Sequence, residues 1–329
     1  MKHIAIYALL VGLLCCTACA KDFEFSESSK VEVFETMWTH IDQNYPFFEL
    51  KGIDWDAIRT TYTSRLANVR SEFVLFDFCT DLLFELEDGH GVIADGSQTI
   101  SYNYTQGFDV LFDLGIARAD YLNNDYRVIR GTITYGIIQD SIGYVHYSNM
   151  RGAADFAPVW DAFLEADVQK VIIDVRSNPG GQIGNGVEIV GYLSETETLV
   201  GYQVQKGGPG RNDFTELLPL TTRPKANSKA IRTKVLINRG SYSAATMFAG
   251  MARSLPYVEI IGQISGGGAG GGQSFELPNG WVIDIPQGFY LDAEQNHVEL
   301  GLEPDFPINN TLEDLQIRRD VMLEAAIER

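Results

Sequence analysis

Cysteine is nearly absent once the first twenty residues are set aside. Of four cysteines, Cys15, Cys16 and Cys19 crowd the N-terminus and only Cys79 lies in the body of the chain. One thiol forms neither an internal disulfide nor a thiolate metal cluster, so Cys79, set in an apolar run, reads as a small buried hydrophobe. Basic residues are scarce as well: 25 Lys and Arg stand against 44 Asp and Glu, a formal net charge of −19. Such a surface argues against nucleic-acid binding and against adsorption to an anionic membrane face, both of which need clustered cations. Long apolar runs are missing apart from Ile4 to Leu14, which is too short to span a bilayer. There is no internal repeat and no low-complexity tract beyond the glycine-rich stretch Gly266 to Gly272. The 32 glycines are spread among aromatic and aliphatic residues, a texture that excludes disordered, coiled-coil and fibrous classes. After Ser243 the chain contains no lysine, which removes a downstream lysine as partner to that serine.

What is present begins with a secretory signal: Lys2, the apolar run, then small residues. Cys16-Thr17-Ala18-Cys19 resembles a bacterial lipoprotein box. That resemblance implies residues 1–19 as a signal peptide, Cys19 as the lipidated first residue (Cys16 is the rival), and a location in the bacterial cell envelope, facing periplasm or exterior. Membrane contact is then expected only through the lipid. Residues 22 to 30 are polar and read as a tether, the pattern is helical from Val31 to Leu86, and a helical N-terminal subdomain is expected over 22–90. Three apolar stripes carry that reading: Phe34, Met37, Trp38 and Ile41; Trp55, Ile58, Tyr62 and Leu66; and Phe73, Phe76 and Leu83. A small β-rich insert is expected over 91–141, where short β-like runs are broken by Gly, Asn and Asp. From 142 to 329 strands and helices alternate, the signature of an α/β core. Ile142–Tyr147, Lys170–Val175 and Lys234–Asn238 read as strands; Asp155–Leu164, Ile183–Leu193 and Ala244–Leu255 read as helices.

Two strand-to-helix junctions could carry chemistry. Asp174 to Gly181 (DVRSNPGG) ends a buried strand in a glycine turn whose N–H groups can face an anion or oxyanion. Asn238 to Thr246 (NRGSYSAAT) delivers Ser243 to a helix start, where a serine is either a nucleophile or an N-cap. A nucleophilic serine needs a base. Four histidines lie outside the signal: His40 and His146 fall in expected helix and strand, His297 in a polar turn, and His90 in the turn Asp88-Gly89-His90. A loop position such as that of His90 suits a functional group.

The ordered series Trp38, Asn44-Tyr45-Pro46, Leu86-Glu87-Asp88-Gly89-His90, Asp174 to Gly181, Ser241 to Ala245, Gly262 to Gly267, Leu277-Pro278-Asn279-Gly280 and Glu299 to Asp305 resembles the C-terminal processing (tail-specific) serine peptidases, in the tricorn-like branch. The resemblance implies an α/β, crotonase/ClpP-like peptidase core behind a helical subdomain. It implies Ser243 as nucleophile, His90 as base, Glu299 as the carboxylate orienting His90, and an oxyanion hole from Ala244 with Gly180 or Gly181. Polypeptides are the implied substrates, no metal or organic cofactor is implied, and activity should rise through about pH 6 to 7 as a base histidine loses its proton. The chain departs from the pattern at Gly89, where the tricorn type has serine, at Gly91 and at Thr246. Residues 91 to 142 are too few for a usual PDZ module and lack its glycine-rich carboxylate-binding loop. The rival function is a non-catalytic lipoprotein that binds peptides or hydrophobic ligands on the same fold. Oligomeric state is open.

Overall fold

A computed structural model describes residues 24–329, except Ala154. The signal segment and Cys19 lie outside the described residues. The chain runs α1 (Glu27–Asn44), α2 (Phe48–Lys51), α3 (Trp55–Leu66), α4 (Glu72–Phe84), β1 (Val92–Ala94), β2 (Thr99–Ser101) and α5 (Leu114–Ile116). A single π-helical turn (Ala117–Tyr121) leads into β3 (Tyr126–Ile129), β4 (Ile133–Ile138), β5 (Ile142–Tyr147), α6 (Ala157–Glu165), β6 (Lys170–Asp174) and α7 (Ile183–Leu193). Then come β7 (Leu199–Gln205), β8 (Leu218–Thr221), β9 (Arg232–Ile237), α8 (Ala244–Arg253), β10 (Val258–Gly262), β11 (Gly270–Glu276) and β12 (Val282–Leu291). The chain closes with β13 (Phe306–Pro307), α9 (Leu312–Gln316) and α10 (Val321–Glu328).

The main sheet has strand order β13-β10-β9-β6-β5-β4-β3. It is parallel from β13 to β5 and antiparallel beyond. Its central strands are continuous apolar runs because both faces are covered. Val171, Ile173, Val235 and Ile237 pack with Trp160 and Phe163 of α6, Ile189 of α7 and Phe248 of α8. Ile172 and Leu236, one residue out of phase, pack with Leu323 and Ala326 of α10 on the other face. A second sheet orders β2-β1-β12-β7-β8, with β11 also pairing to β12. The N-terminal helices lie against it. Val33, Phe34, Met37 and Ile41 of α1 and Leu75, Phe76, Cys79 and Leu82 of α4 share a core with Ile283 and Ile285 of β12. Caps define these helices: Ser26, Asp54 and Ser71 each accept the N–H of the third helical residue.

Two expectations need correction. The segment 91–141 is not a separate insert: β1 pairs with β12, and β3 and β4 extend the main sheet through β5. Backbone pairing draws it into both sheets, because a few short strands cannot bury a core alone. Phe73, placed on the third stripe, is 72% exposed. It follows the Ser71 cap in the first turn of α4, and Leu75, Phe76, Cys79, Leu82 and Leu83 form the buried face instead.

One buried ion cluster fixes the end of β6. The Arg176 guanidinium, fully buried, donates to Asp174 Oδ1 and Oδ2 (2.9 and 2.6 Å) and to Asp320 Oδ1 and Oδ2 (2.7 and 2.8 Å). Asp320 is also the N-cap of α10, so the helix is tied to the strand end just before the turn Ser177 to Gly181. Burial alone would raise the Asp320 pKa, but the guanidinium's charge and hydrogen bonds outweigh it and hold the carboxyl below its ordinary value. Removing the cation while leaving both acids strands two buried carboxylates. Arg176→Met should therefore destabilise by about 3–5 kcal/mol in urea unfolding. Because the folded Asp320 pKa is depressed, its contribution is full above its unfolded value, near 3.9, and falls away as pH drops through the lower folded value. Wild-type stability against pH should show that acid loss, and the Met variant should show less of it.

Candidate active site

Ser243 sits where β9 gives way to α8. The turn before it is sewn to the turn after β6: Asn238 Oδ1 accepts the N–H of Ser177 (2.8 Å) and Gly240 (3.0 Å), and Ser241 Oγ donates to Val175 O (2.7 Å). Ser243 itself has φ 54° and ψ −123°, a strained backbone for a residue with a Cβ. It stands at the N-cap of α8, yet its side chain makes no capping bond. Capping therefore does not account for this serine. Its Oγ lies 3.1 Å from His90 Nε2, from the turn between α4 and β1.

The N–H groups next to Ser243 form an anion-facing corner. Ala244 N–H opens α8, where no intrahelical carbonyl reaches it. Of the two turn glycines, Gly180 donates to Asn178 Oδ1 at 2.9 Å, which leaves Gly181 as the candidate to act with Ala244. Gly180 still matters sterically: at φ 92°, a Cβ there would lie 2.7 Å from Ser243 Cβ and 2.9 Å from Ala244 N. A cleft of about 380 Å³ opens over this corner, with Met247, Ile183 and Tyr290 as apolar walls and Gly270 to Gly272 along one side. The glycine-rich stretch is thus a border of the site, continued as β11.

His90 is held by different partners from those expected. Its backbone N–H donates to Asp88 Oδ1 (2.9 Å), and its Nδ1 lies 3.1 Å from the Tyr242 hydroxyl and 3.6 Å from Asp88 Oδ1. The expected contact of Glu299 with His90 is not made. Glu299 Oε1 instead pairs with Lys51 Nζ (3.1 Å), and Oε2 accepts the Ala269 N–H (2.7 Å). Lys51, from α2, also reaches Asp88 Oδ2 at 3.1 Å, beside the Tyr45 hydroxyl at 2.9 Å. The physical reason is room and charge: Asp88 and the phenol fill the space at Nδ1, and Lys51 draws Glu299 to its far side.

Burial raises the cost of charge on Asp88, yet the His90 contacts and Lys51 hold its carboxyl well below the ordinary range. Glu299 moves the other way, raised by burial and by Asp88 more than Lys51 and the Ala269 N–H lower it. Lys51 loses from burial but is raised overall by its two carboxylates. Tyr242 is raised well above its ordinary value by burial, Asp88 and Glu299, so it keeps its proton.

Among the other histidines, His40 packs on Phe275, and His297 lies between Phe47 and Phe289. His146 is buried in β5, with Nε2 3.4 Å from Arg176 O. Sequence reasoning missed Lys51 and Tyr242. Tyr242 lay in plain view beside Ser243, but nothing in its spacing marked the phenol. Lys51 sits in a short helix outside every motif. Among the described residues, no cluster of three or more His, Cys, Asp or Glu side chains could hold a metal, and no helix is long and apolar enough to cross a membrane.

A serine on a strained strand-to-helix turn, an imidazole on its Oγ and free N–H groups beside it define the class of serine hydrolases with an α/β core. Residues 141–308 match Peptidase family S41, and the chain belongs to that family. Residues 27–84 match the Tricorn protease C1 domain. Among curated proteins, it is 25% identical over 171 residues to the carboxy-terminal processing protease CtpB of Bacillus subtilis (strain 168), covering 51% of this chain and 34% of that one. It is also 25% identical over 194 residues to the carboxyl-terminal-processing protease of Synechocystis sp., covering 57% and 43% respectively. The chain thus spans about a third to two fifths of the length of these relatives. A solved candidate peptidase from Parabacteroides merdae ATCC 43184 superposes with a TM-score of 0.83 at 33% identity, over 91% of this chain and 96% of that one. Mature CPAF shares the fold, with a TM-score of 0.66 at 11% identity over 91% and 96% of the two chains.

The crowding at Gly180 gives a direct check. Gly180→Ala should cut the rate of Ser243 labelling by a fluorophosphonate about 10²-fold or more, in line with loss of oxyanion donors, while the circular-dichroism melt stays cooperative.

Proposed function

We propose that the chain is a serine peptidase acting through an acyl-enzyme on Ser243. The 3.1 Å approach of His90 Nε2 to Ser243 Oγ carries this reading. His90 takes the Oγ proton as Oγ bonds to the scissile carbonyl carbon, and the oxyanion rests on the N–H groups of Ala244 and Gly181. The imidazolium then protonates the leaving amine as the C–N bond breaks. Water, deprotonated by the same imidazole, releases the acyl group.

The proposed substrates are polypeptides of exported or misfolded proteins. The apolar walls of the cleft favour an apolar side chain at the cleavage point, and Arg151 lies at the rim. Two curated relatives are named for carboxyl-terminal processing. A related preference here would rest on the cleft itself, since the segment between β1 and β5 contributes strands to the two core sheets. Lipidation at Cys19 would hold the enzyme in the cell envelope, and the mechanism calls on no metal or organic cofactor.

Hydrolysis of casein, with kcat/KM lowered by about 10⁴-fold or more in Ser243→Ala and in His90→Ala, is the expected result. Peptide binding with no turnover by the wild-type chain would favour the non-catalytic reading. Mass spectrometry of the mature N-terminus should find an acylated Cys19; an unmodified N-terminus at Ala20 would refute the anchor.

A further inference from the structure

We infer that the Tyr242 hydroxyl is the positioning group for His90, linking its Nδ1 to Asp88 in place of a direct carboxylate contact. This rests on the reading of Ser243 and His90 as nucleophile and base.

The phenol is gripped on every side. Tyr104 stacks on it with ring centroids 3.9 Å apart and planes within 19°. A Cβ at Gly89 would lie 2.7 Å from the Tyr242 hydroxyl oxygen, and one at Gly268 would lie 2.2 Å from its Cζ. Gly89, the position where the motif resemblance leads one to expect serine, is therefore bare so that a hydroxyl from another residue can enter. The backbone N–H of Tyr242 donates to Asn178 O (2.9 Å), fixing the ring's root beside the oxyanion turn.

Donor and acceptor counting then fixes the protons. Asp88 Oδ1 accepts from His90 N–H, and Oδ2 accepts from Tyr45 and Lys51. An ionised carboxylate only accepts. In the inferred arrangement the Tyr242 hydroxyl, 3.4 Å from Asp88 Oδ1, donates toward it, and its oxygen presents a lone pair to Nδ1 at 3.1 Å. The proton of the neutral imidazole is thereby held on Nδ1, and Nε2 is left bare toward Ser243 Oγ. The direct Nδ1 to Asp88 distance of 3.6 Å is too long for a hydrogen bond. When Nε2 takes the serine proton, the Nδ1 proton and the phenol proton stay where they are, and the new positive charge is met by Asp88 through the phenol. Glu299 acts one step further out, on Lys51.

The test uses the full chain and Tyr242→Phe, which keeps the ring and its stacking. The charged or titratable groups around the imidazole and phenol are Asp88, Lys51, Glu299, Tyr45, Tyr104 and Arg239. None of them is altered by the substitution. We expect kcat to fall about 10–100-fold with KM within about twofold, an unchanged melting temperature, and an acid limb of kcat/KM displaced to lower pH, because the imidazolium loses an acceptor. Asp88→Asn should cause a similar loss, and the double variant should be little worse than either single one. A wild-type rate and pH profile in Tyr242→Phe would overturn the inference, as would losses that simply add. Glu299→Gln carrying the displaced limb while Tyr242→Phe does not would also overturn it. Failure of the underlying reading looks different: the wild-type chain would not react with a fluorophosphonate, or Ser243→Ala would hydrolyse casein as well as wild type.

Discussion

One ammonium group ties the site together. Lys51 Nζ stands 3.1 Å from both Asp88 and Glu299, in surroundings where the two carboxylate side chains are 0 and 2% exposed. Two buried acids that close would repel and would each resist ionisation. The lysine favours the charged form of both; the His90 contacts then keep Asp88 ionised, while burial and Asp88 leave Glu299 raised. Each member belongs to a different part of the chain: α2 for Lys51, the turn after α4 for Asp88, and the segment before β13 for Glu299. Through Asp88 the cluster sets the backbone of His90, and through Glu299 it holds Ala269 and Gly268 at the glycine border. The helical layer is therefore part of the active centre.

A second buried charge group works at the opposite end of the same geometry. Arg176 closes β6 onto α10, and the turn that follows carries Gly180 and Gly181 to Ser243. Between the two clusters, Ser243 is held by the Gly267 carbonyl on its own N–H and by the start of α8. The strain at φ 54° is tolerated because packing and hydrogen bonds on both sides determine the turn. Two cations, Lys51 and Arg176, are each shared by two acids whose side chains are almost fully buried.

The strands β5, β6 and β9 were legible in the sequence because unbroken apolar runs are a strong signal, and the helices α7 and α8 were bounded within two residues. Ser243 and His90 were legible because motif order carried them. Three things were not. Phe73 obeyed a stripe on paper, but it falls outside the helix face that Leu75, Phe76, Cys79, Leu82 and Leu83 bury. Within 91–141, the pairing of β1 with β12, nearly two hundred residues away, leaves no local trace. The partner of His90 was misassigned to Glu299 because a motif records which residues are present, while the hydroxyl of Tyr242 and the charge of Lys51 decide who touches whom. Space at Gly89 was the one clue, and it becomes readable only once the phenol is seen beside it.

The division of labour along the chain has a consequence for cleavage of the protein itself. The stretch that matches the peptidase family begins at residue 141, after His90 and Lys51 have already been laid down. A nick between β2 and β3 would part His90 from Ser243 in sequence, while β1, paired to β12, still joins the two pieces by backbone. Once separated, one piece would carry the imidazole and the other the strained serine, and the 3.1 Å contact between them would be lost. Chemistry that needs Ser243 and His90 together therefore draws on both sides of that boundary.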